Sequence, residues 1–304
     1  MSDIVEAVLA DLAAEGDRLE ALVAGLPEAS WRLPTPAVGW DVATQLAHLA
    51  WTDEAALAAA TDKSAWDALV LDAMTDPEGI VDHAALSGGA VPPLELLSRW
   101  RGARTALAEA LRSVPDGTKL PWFGPPMSAA SMATARFMET WAHSLDVHEA
   151  LGVEPAATDR IRHVAHLGVR TRDFSFRSHG LTPPTAEFRI ELVAPSGELW
   201  LWGPEDAGQS VGGPAEDFCR LVTQRIHRAD TDLVATGADA EQWLAIAQAF
   251  AGPSGDGRAP RGCARDRRSP PPGRLLHGLL WRPAQRHARD ARGRAARRAD
   301  RRLP

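Results

Sequence analysis

Four long stretches in the first half of this chain repeat their apolar residues at helical spacing, and that pattern restricts the fold more than any other feature. Ile4, Val8, Leu12, Leu19, Leu22 and Val23 form the first stretch, which Gly25 and Pro27 stop. The turn-rich text SWRLPTPAVGW follows, and Asp41 then stands as the N-cap of a second helix, VATQLAHLAWTDEAALAAA. A shorter helical stretch from about Trp66 to Met74 gives way to the connection GGAVPP. The third long helix, LELLSRWRGARTALAEALRSV, stops at Pro115 and Gly117, and the fourth, SAASMATARFMETWAHSLDVHEALG, stops at Gly152. Long helices on moderate loops, with few strand signals before residue 155, predict an antiparallel four-helix bundle.

After residue 155 the period changes. A connector helix is expected from roughly Ala156 to Arg177, and EFRIELVAPSGELWLWG then reads as a β-hairpin about a Pro-Ser-Gly turn. Helices are expected at about Pro214 to Ile226 and Ala240 to Phe250, with DLVATG between them as a strand. The chain is therefore expected to be an α+β protein in three parts. Residues 1–154 form the bundle, 155–257 the connector and a small α+β domain with helices on one sheet face, and 258–304 a tail.

Charge separates the tail from the rest. Of the 33 basic and 40 acidic side chains, 15 Arg and 3 Asp lie from Arg258 onward, so the tail carries +12 and the preceding 257 residues −19. An acidic body repels nucleic acid, so no nucleic-acid partner is expected for it. The tail is nearly all Arg, Ala, Pro, Gly and Leu, in a chain with no Tyr and two Lys. Such text fits a shifted reading frame through GC-rich DNA, or an unselected extension, and is expected to be disordered. A genuine basic nucleic-acid tail is the alternative. An apolar content of 45% supplies a core, and no apolar run reaches the ~20 residues that span a bilayer. The acidic amphipathic opening does not read as a secretory signal. Cys219 and Cys263 provide neither a disulfide framework nor a cysteine zinc site. A soluble cytoplasmic protein without a membrane partner is the expectation.

The chemistry centres on Glu139-Thr-Trp-Ala-His143, because residues four apart on a helix project from one face and make a carboxylate–imidazole pair. Alone, the pair also reads as an ordinary surface Glu–His pair. His48, in the apolar stretch Gln45-Leu46-Ala47-His48-Leu49, reads either as a satisfied core histidine or as the third ligand that such a pair needs from a facing helix. Asp146 stands where it either orients a ligand imidazole or is solvated. His148 points away from the pair, and His83, His163, His166 and His179 have no partner spacing. Trp40, Trp51 and Trp141 flank the ligands as core or as walls of a dry pocket, and Cys219 reads as a small apolar filler.

The text VGWDVATQLAHLAWTDEAAL, together with METWAHSLDVHEALG, resembles the mycothiol-dependent maleylpyruvate isomerase family, within the wider DinB-like superfamily. The resemblance covers roughly residues 1 to 255 and implies that His48, Glu139 and His143 bind a divalent metal, usually zinc. It also implies a thiol cofactor, mycothiol, held in part by an arginine of the second domain. Arg225 is the best positional match, with Arg220 and Arg228 close enough to dispute the role and an exposed helix arginine as the plain alternative. Three ligands leave coordination open, which suits activation of a thiol, a carbonyl or water. Three functions follow. The first is an isomerase or S-transferase joining a small-molecule thiol to an electrophilic substrate. The second is a hydrolase in which the metal activates water, and the third is a non-catalytic metal or small-molecule binding protein.

Overall fold

The computed structural model describes residues 3–250, so the readings of the tail and of Cys263 fall outside the described residues. Six helices occupy the first part: α1 (Asp3–Val23), α2 (Val42–Thr61), α3 (Lys63–Thr75), α4 (Ile80–Gly89), α5 (Pro93–Ser113) and α6 (Ala129–Leu151). α1, α2, α5 and α6 form the expected bundle, in which α6 lies against α1 and α2, and α5 against α2 and α1.

Local chemistry fixes the helix ends. Asp41 Oδ1 accepts from the Thr44 N–H at 2.8 Å, and Ser128 Oγ from the Ser131 N–H at 3.2 Å. α6 ends at Gly152 in the left-handed region (φ 65°), where the Val153 N–H reaches back to the His148 carbonyl at 3.0 Å.

The bundle core has two apolar layers. Leu19, Leu46, Leu96, Trp100 and Val147 fill one, and Val8, Leu9, Ala56, Leu107 and Met132 the other. Along α2 and α6 the segments between these layers carry polar side chains, including His48, Asp53, Arg136 and His143, all buried. α4 was not expected, since its Gly88-Gly89 end reads as a breaker. Those glycines instead allow close approach to α2, because a Cβ on Gly89 would lie 3.1 Å from the Thr44 backbone.

The connector is not one helix. A 3-10 turn (Asp159–Ile161) precedes α7 (Arg162–Arg170) and α8 (Arg172–Ser178), which break at Thr171. There the threonine hydroxyl bonds back to the Leu167 and Gly168 carbonyls. β1 (Phe188–Val193), β2 (Leu199–Trp202), β3 (Gln209–Pro214), α9 (Ala215–Val222), β4 (Val234–Thr236) and α10 (Ala238–Ile246) complete the fold. The sheet order is β2-β1-β3-β4. β1 and β2 form the expected antiparallel hairpin, with Gly197 at φ 89° in its turn.

The sequence reading missed β3, which runs parallel to β1. Its text, QSVGGP, carries one apolar inward residue, Val211, and so has no alternation to detect. Phe188, Ile190, Leu192, Trp200 and Val211 face Phe218, Val222 and Trp243 in one buried cluster. Phe137, Met138, Trp141 and Leu145 of α6 belong to that cluster too, so one helix serves both the bundle and the α+β part. No helix among the described residues is long and apolar enough to cross a membrane.

Candidate metal centre

α2 presents His48 and α6 presents Glu139 and His143 to the same point. Glu139 Oε2 lies 3.3 Å from His48 Nε2 and 3.2 Å from His143 Nε2. All three ligand atoms fall within 4.8 Å of one another, and among the described residues this is the one His/Cys/Asp/Glu group that converges so. Both histidines are buried, whereas the Glu139 side chain keeps 14% of its surface and is the least enclosed of the three.

The electrostatics suit a cation. Burial, reinforced by neighbouring His143, lowers the His48 pKa to about 4, so its ring is neutral at neutral pH. Burial pushes the Glu139 carboxyl up, but hydrogen bonding to His143 and His48 and the charge of Arg136 outweigh it. Glu139 therefore stays ionised, with its pKa well below the usual carboxylate range. A hydrogen-bonded chain then aims the His143 ring. Thr35 Oγ1 donates to the Trp40 carbonyl at 3.0 Å, and Gln45 Nε2 donates to Thr35 Oγ1 at 2.8 Å. That leaves Gln45 Oε1 to accept from His143 Nδ1–H at 2.5 Å, so Nε2 is the ring nitrogen turned toward Glu139 and toward the point a metal would take. Two imidazole nitrogens and a carboxylate oxygen form a donor set that fits a divalent ion such as zinc. The Trp40 ring walls the site, with centroids 5.3 Å from His48 and 6.0 Å from His143. Its Nε1–H donates to Asp82 on α4 at 3.0 Å, so the unexpected helix steadies that wall.

The other candidate residues separate clearly. Asp146 Oδ2 accepts from Arg225 Nη2 at 2.9 Å, in an ion pair whose two side chains are both largely buried. Arg225 Nη1 also donates to the Thr223 carbonyl at 2.6 Å. Arg225 is thereby tied to α6, the helix of Glu139 and His143, whereas Arg220 pairs with Glu216, and Arg228 with Thr231 and Glu241. His148 bonds the Ser144 carbonyl, His163 meets Asp11, His83 meets Asp76, His166 accepts from Trp202, and His179 bonds the Ser175 carbonyl. Trp51 packs in the cluster that holds Trp40, while Trp141 belongs to the C-terminal core. Burial pushes the Cys219 thiol well up, and its Sγ–H meets the Ile161 carbonyl at 3.4 Å, as suits a neutral filler. The sequence reading gave no role to Gln45, Asp53, Asp82 or Arg136. Gln45 and Arg136 each stand three positions before a ligand on its own helix, a spacing that would have exposed them.

By fold and site, this is a four-helix bundle with a candidate His–Glu–His metal cluster, followed by a small α+β part. A family model described as the mycothiol maleylpyruvate isomerase N-terminal domain matches residues 12–148, which include all three cluster residues. A second, described as wyosine base formation, matches residues 184–236. Uncharacterised proteins from two Mycobacterium tuberculosis strains, CDC 1551 and H37Rv, are each 59% identical over 250 residues, covering 82% of this chain and 97% of theirs. The chain belongs with them to the mycothiol maleylpyruvate isomerase-like family. Two crystal structures of mycothiol-dependent maleylpyruvate isomerase, one a histidine-to-alanine variant, share its fold. They superpose with TM-scores of 0.53 and 0.52 at 16% and 15% identity, over 77% of this chain and 95% of theirs.

Proposed function

We propose that this protein is a metal-dependent thiol enzyme, an isomerase or S-transferase that uses mycothiol on an electrophilic substrate, with Zn2+ held by His48, Glu139 and His143. The observation that carries this reading is the convergence of three candidate ligand atoms within 4.8 Å, with one imidazole oriented by Gln45. When bound, a zinc ion supplies Lewis-acid stabilisation of a thiolate or of a developing oxyanion. The chain's own residues prepare for that. Neutral His48 and the Nε2 of His143 offer lone pairs, ionised Glu139 offers charge, and Trp40 excludes water on one side. The partly open Glu139 side is where thiol and substrate enter.

Arg225 takes the polar groups of the thiol, from a position that its Asp146 ion pair sets one turn beyond His143. In this reading residues 1–154 act as the metal domain and 155–257 as the thiol-binding domain, in the cytoplasm. The test is elemental analysis beside a His48→Ala/His143→Ala double variant, followed by turnover with and without thiol. About one metal per chain, lost in the variant, with turnover that requires thiol, is the expected result. A full metal complement in the variant refutes the site, and turnover without thiol replaces this reading with the hydrolase. Arg225→Ala is expected to weaken thiol binding and leave metal content unchanged.

A further inference from the structure

One polar side chain on α6 has no part in the cluster. Arg136 lies one turn before Glu139, on the same side of the helix, and is only 2% exposed. Its Cζ sits 5.3 Å over the Trp122 ring, yet its Nε and Nη1 are buried without a hydrogen-bond partner. Neither Asp53 nor Glu139, the acids of the same polar layer, forms a hydrogen bond or ion pair with it. A guanidinium carries five N–H donors and cannot shed its proton, so the nearby acids offset its charge but leave these two donors buried without an acceptor, at roughly 1–3 kcal/mol each. Folding alone gives no reason to keep such a group. Its charge bears on Glu139, His48 and Asp53, which places it on the same polar layer as the metal ligands. The neighbouring side chains are aromatic. Trp122 stacks on Trp66 at 5.8 Å and meets Phe123 edge-on at 5.4 Å, while Phe123 lies tilted against Trp66 at 4.8 Å and stacks on Trp51 at 6.5 Å.

We infer that Arg136 anchors a carboxylate of the ligand that enters this site, while the aromatic side chains Trp122 and Phe123 border the ligand's apolar part. A carboxylate presents two oxygens to the parallel N–H donors of the fork, which a single ammonium cannot match. Where this ligand reacts rests on the metal–thiol reading. The anchoring itself does not depend on that reading.

The experiment is calorimetric titration with benzoate and its neutral isostere benzamide, on the native protein and on Arg136→Met and Arg136→Lys, with metal content and ligand-free Tm measured for each. Native protein is expected to favour benzoate by about tenfold or more. Arg136→Met removes that preference, leaves metal content unchanged and raises the ligand-free Tm, because two buried donors without acceptors are gone. Arg136→Lys keeps the charge but loses most of the preference. Equal binding of benzoate and benzamide by native protein overturns the inference, as does an undiminished preference in Arg136→Met. A lower Tm in Arg136→Met also overturns it, by giving the arginine a structural role. Native protein that lacks metal yet favours benzoate through Arg136 keeps this inference and removes the metal reading. A metal-loaded protein without the preference does the reverse.

Discussion

The polar layer of the bundle and the core of the α+β part bury their side chains on opposite principles. Between the two apolar layers of the bundle lie Gln45, His48, Asp53, Arg136, His143 and Asp146, each almost fully enclosed. The sheet face carries Phe188, Ile190, Leu192, Trp200 and Val211 against Phe218, Val222 and Trp243, and no charged side chain is buried among them. Enclosing ionisable groups opposes folding unless each is answered, whereas apolar burial drives it. The contrast teaches a division of labour. The C-terminal core stabilises, and the bundle spends stability on a site. α6 joins the two, because its Trp141 and Leu145 face the apolar core while Glu139 and His143 face the polar layer.

The largest effect is therefore expected from the apolar side. Trp243 is fully buried, with edge-on ring contacts at 5.7 Å to both Phe188 and Phe218. Trp243→Ala should cost about 3–5 kcal/mol, a substantial part of the stability of a domain this size. His143→Ala should show the opposite profile, with metal lost and the helical signal retained. Urea unfolding followed by far-UV circular dichroism, with metal content measured on the folded fraction, separates the two. If Trp243→Ala unfolds at the native urea midpoint, the C-terminal core is not where stability resides.

The two regions also differed in how far the sequence disclosed them. Bundle helices were readable because their ends carry chemical stops, such as the Asp41 cap and left-handed Gly152, and because their apolar period is long. The convergence of the candidate triad was legible because Glu139 and His143 repeat at one helical turn, and His48 stood in a facing helix, where the family resemblance singled it out. Three features were hidden for physical reasons. Strand β3 pairs through its backbone and needs one apolar side chain, so it shows no alternation. Helix α4 ends in glycines chosen for close packing on α2, and these read as a break. The spacing of Gln45 and Arg136 before the candidate ligands is visible, but what each meets across the bundle, or fails to meet, is not written in it.

A second way to sharpen the comparison is titration. Burial, only partly offset by the charges of Arg136 and Arg104, raises the Asp53 pKa to about 7. Folded protein thus holds that proton up to about pH 7, while an unfolded chain releases it near the ordinary value of about 4. More protons bound in the folded state means that Asp53's contribution falls as pH rises from about 4 to 7. His48 runs the other way. With its pKa lowered to about 4, the folded chain leaves unbound a proton that the unfolded chain holds up to about pH 6.5, so its contribution rises with pH over that window. The two partly cancel in the native metal-free protein. Asp53→Asn should unmask the histidine, gaining on native protein by about 1.4 kcal/mol per pH unit at most between pH 4 and 7. Urea midpoints of both proteins across pH 4–8 check this, and parallel curves would exclude a protonated Asp53 in the fold.

The smallest of these effects, and the most specific, belongs to Gln45. It touches neither the solvent nor the metal point, and its work is directional. Nδ1–H of His143 donates to Oε1, Nε2–H donates to Thr35, and Thr35 donates onward to the Trp40 carbonyl. Reversing any member breaks the order. Gln45→Met keeps the volume but removes the acceptor, so His143 is free to adopt the tautomer that places a hydrogen on Nε2, where a lone pair is needed. Loss of such an orienting partner typically weakens metal affinity by about 10–100-fold, without removing a ligand. Gln45→Glu retains an acceptor for His143, yet it turns a second oxygen toward Thr35, whose hydroxyl proton is already given to Trp40. Its affinity should therefore fall between those of native protein and Gln45→Met. Competition with a chelator of known zinc affinity measures all three, alongside Tm to confirm that each variant is folded. Equal affinities would mean that His143 needs no outside hand to aim it, and that the polar layer buries Gln45 for packing alone.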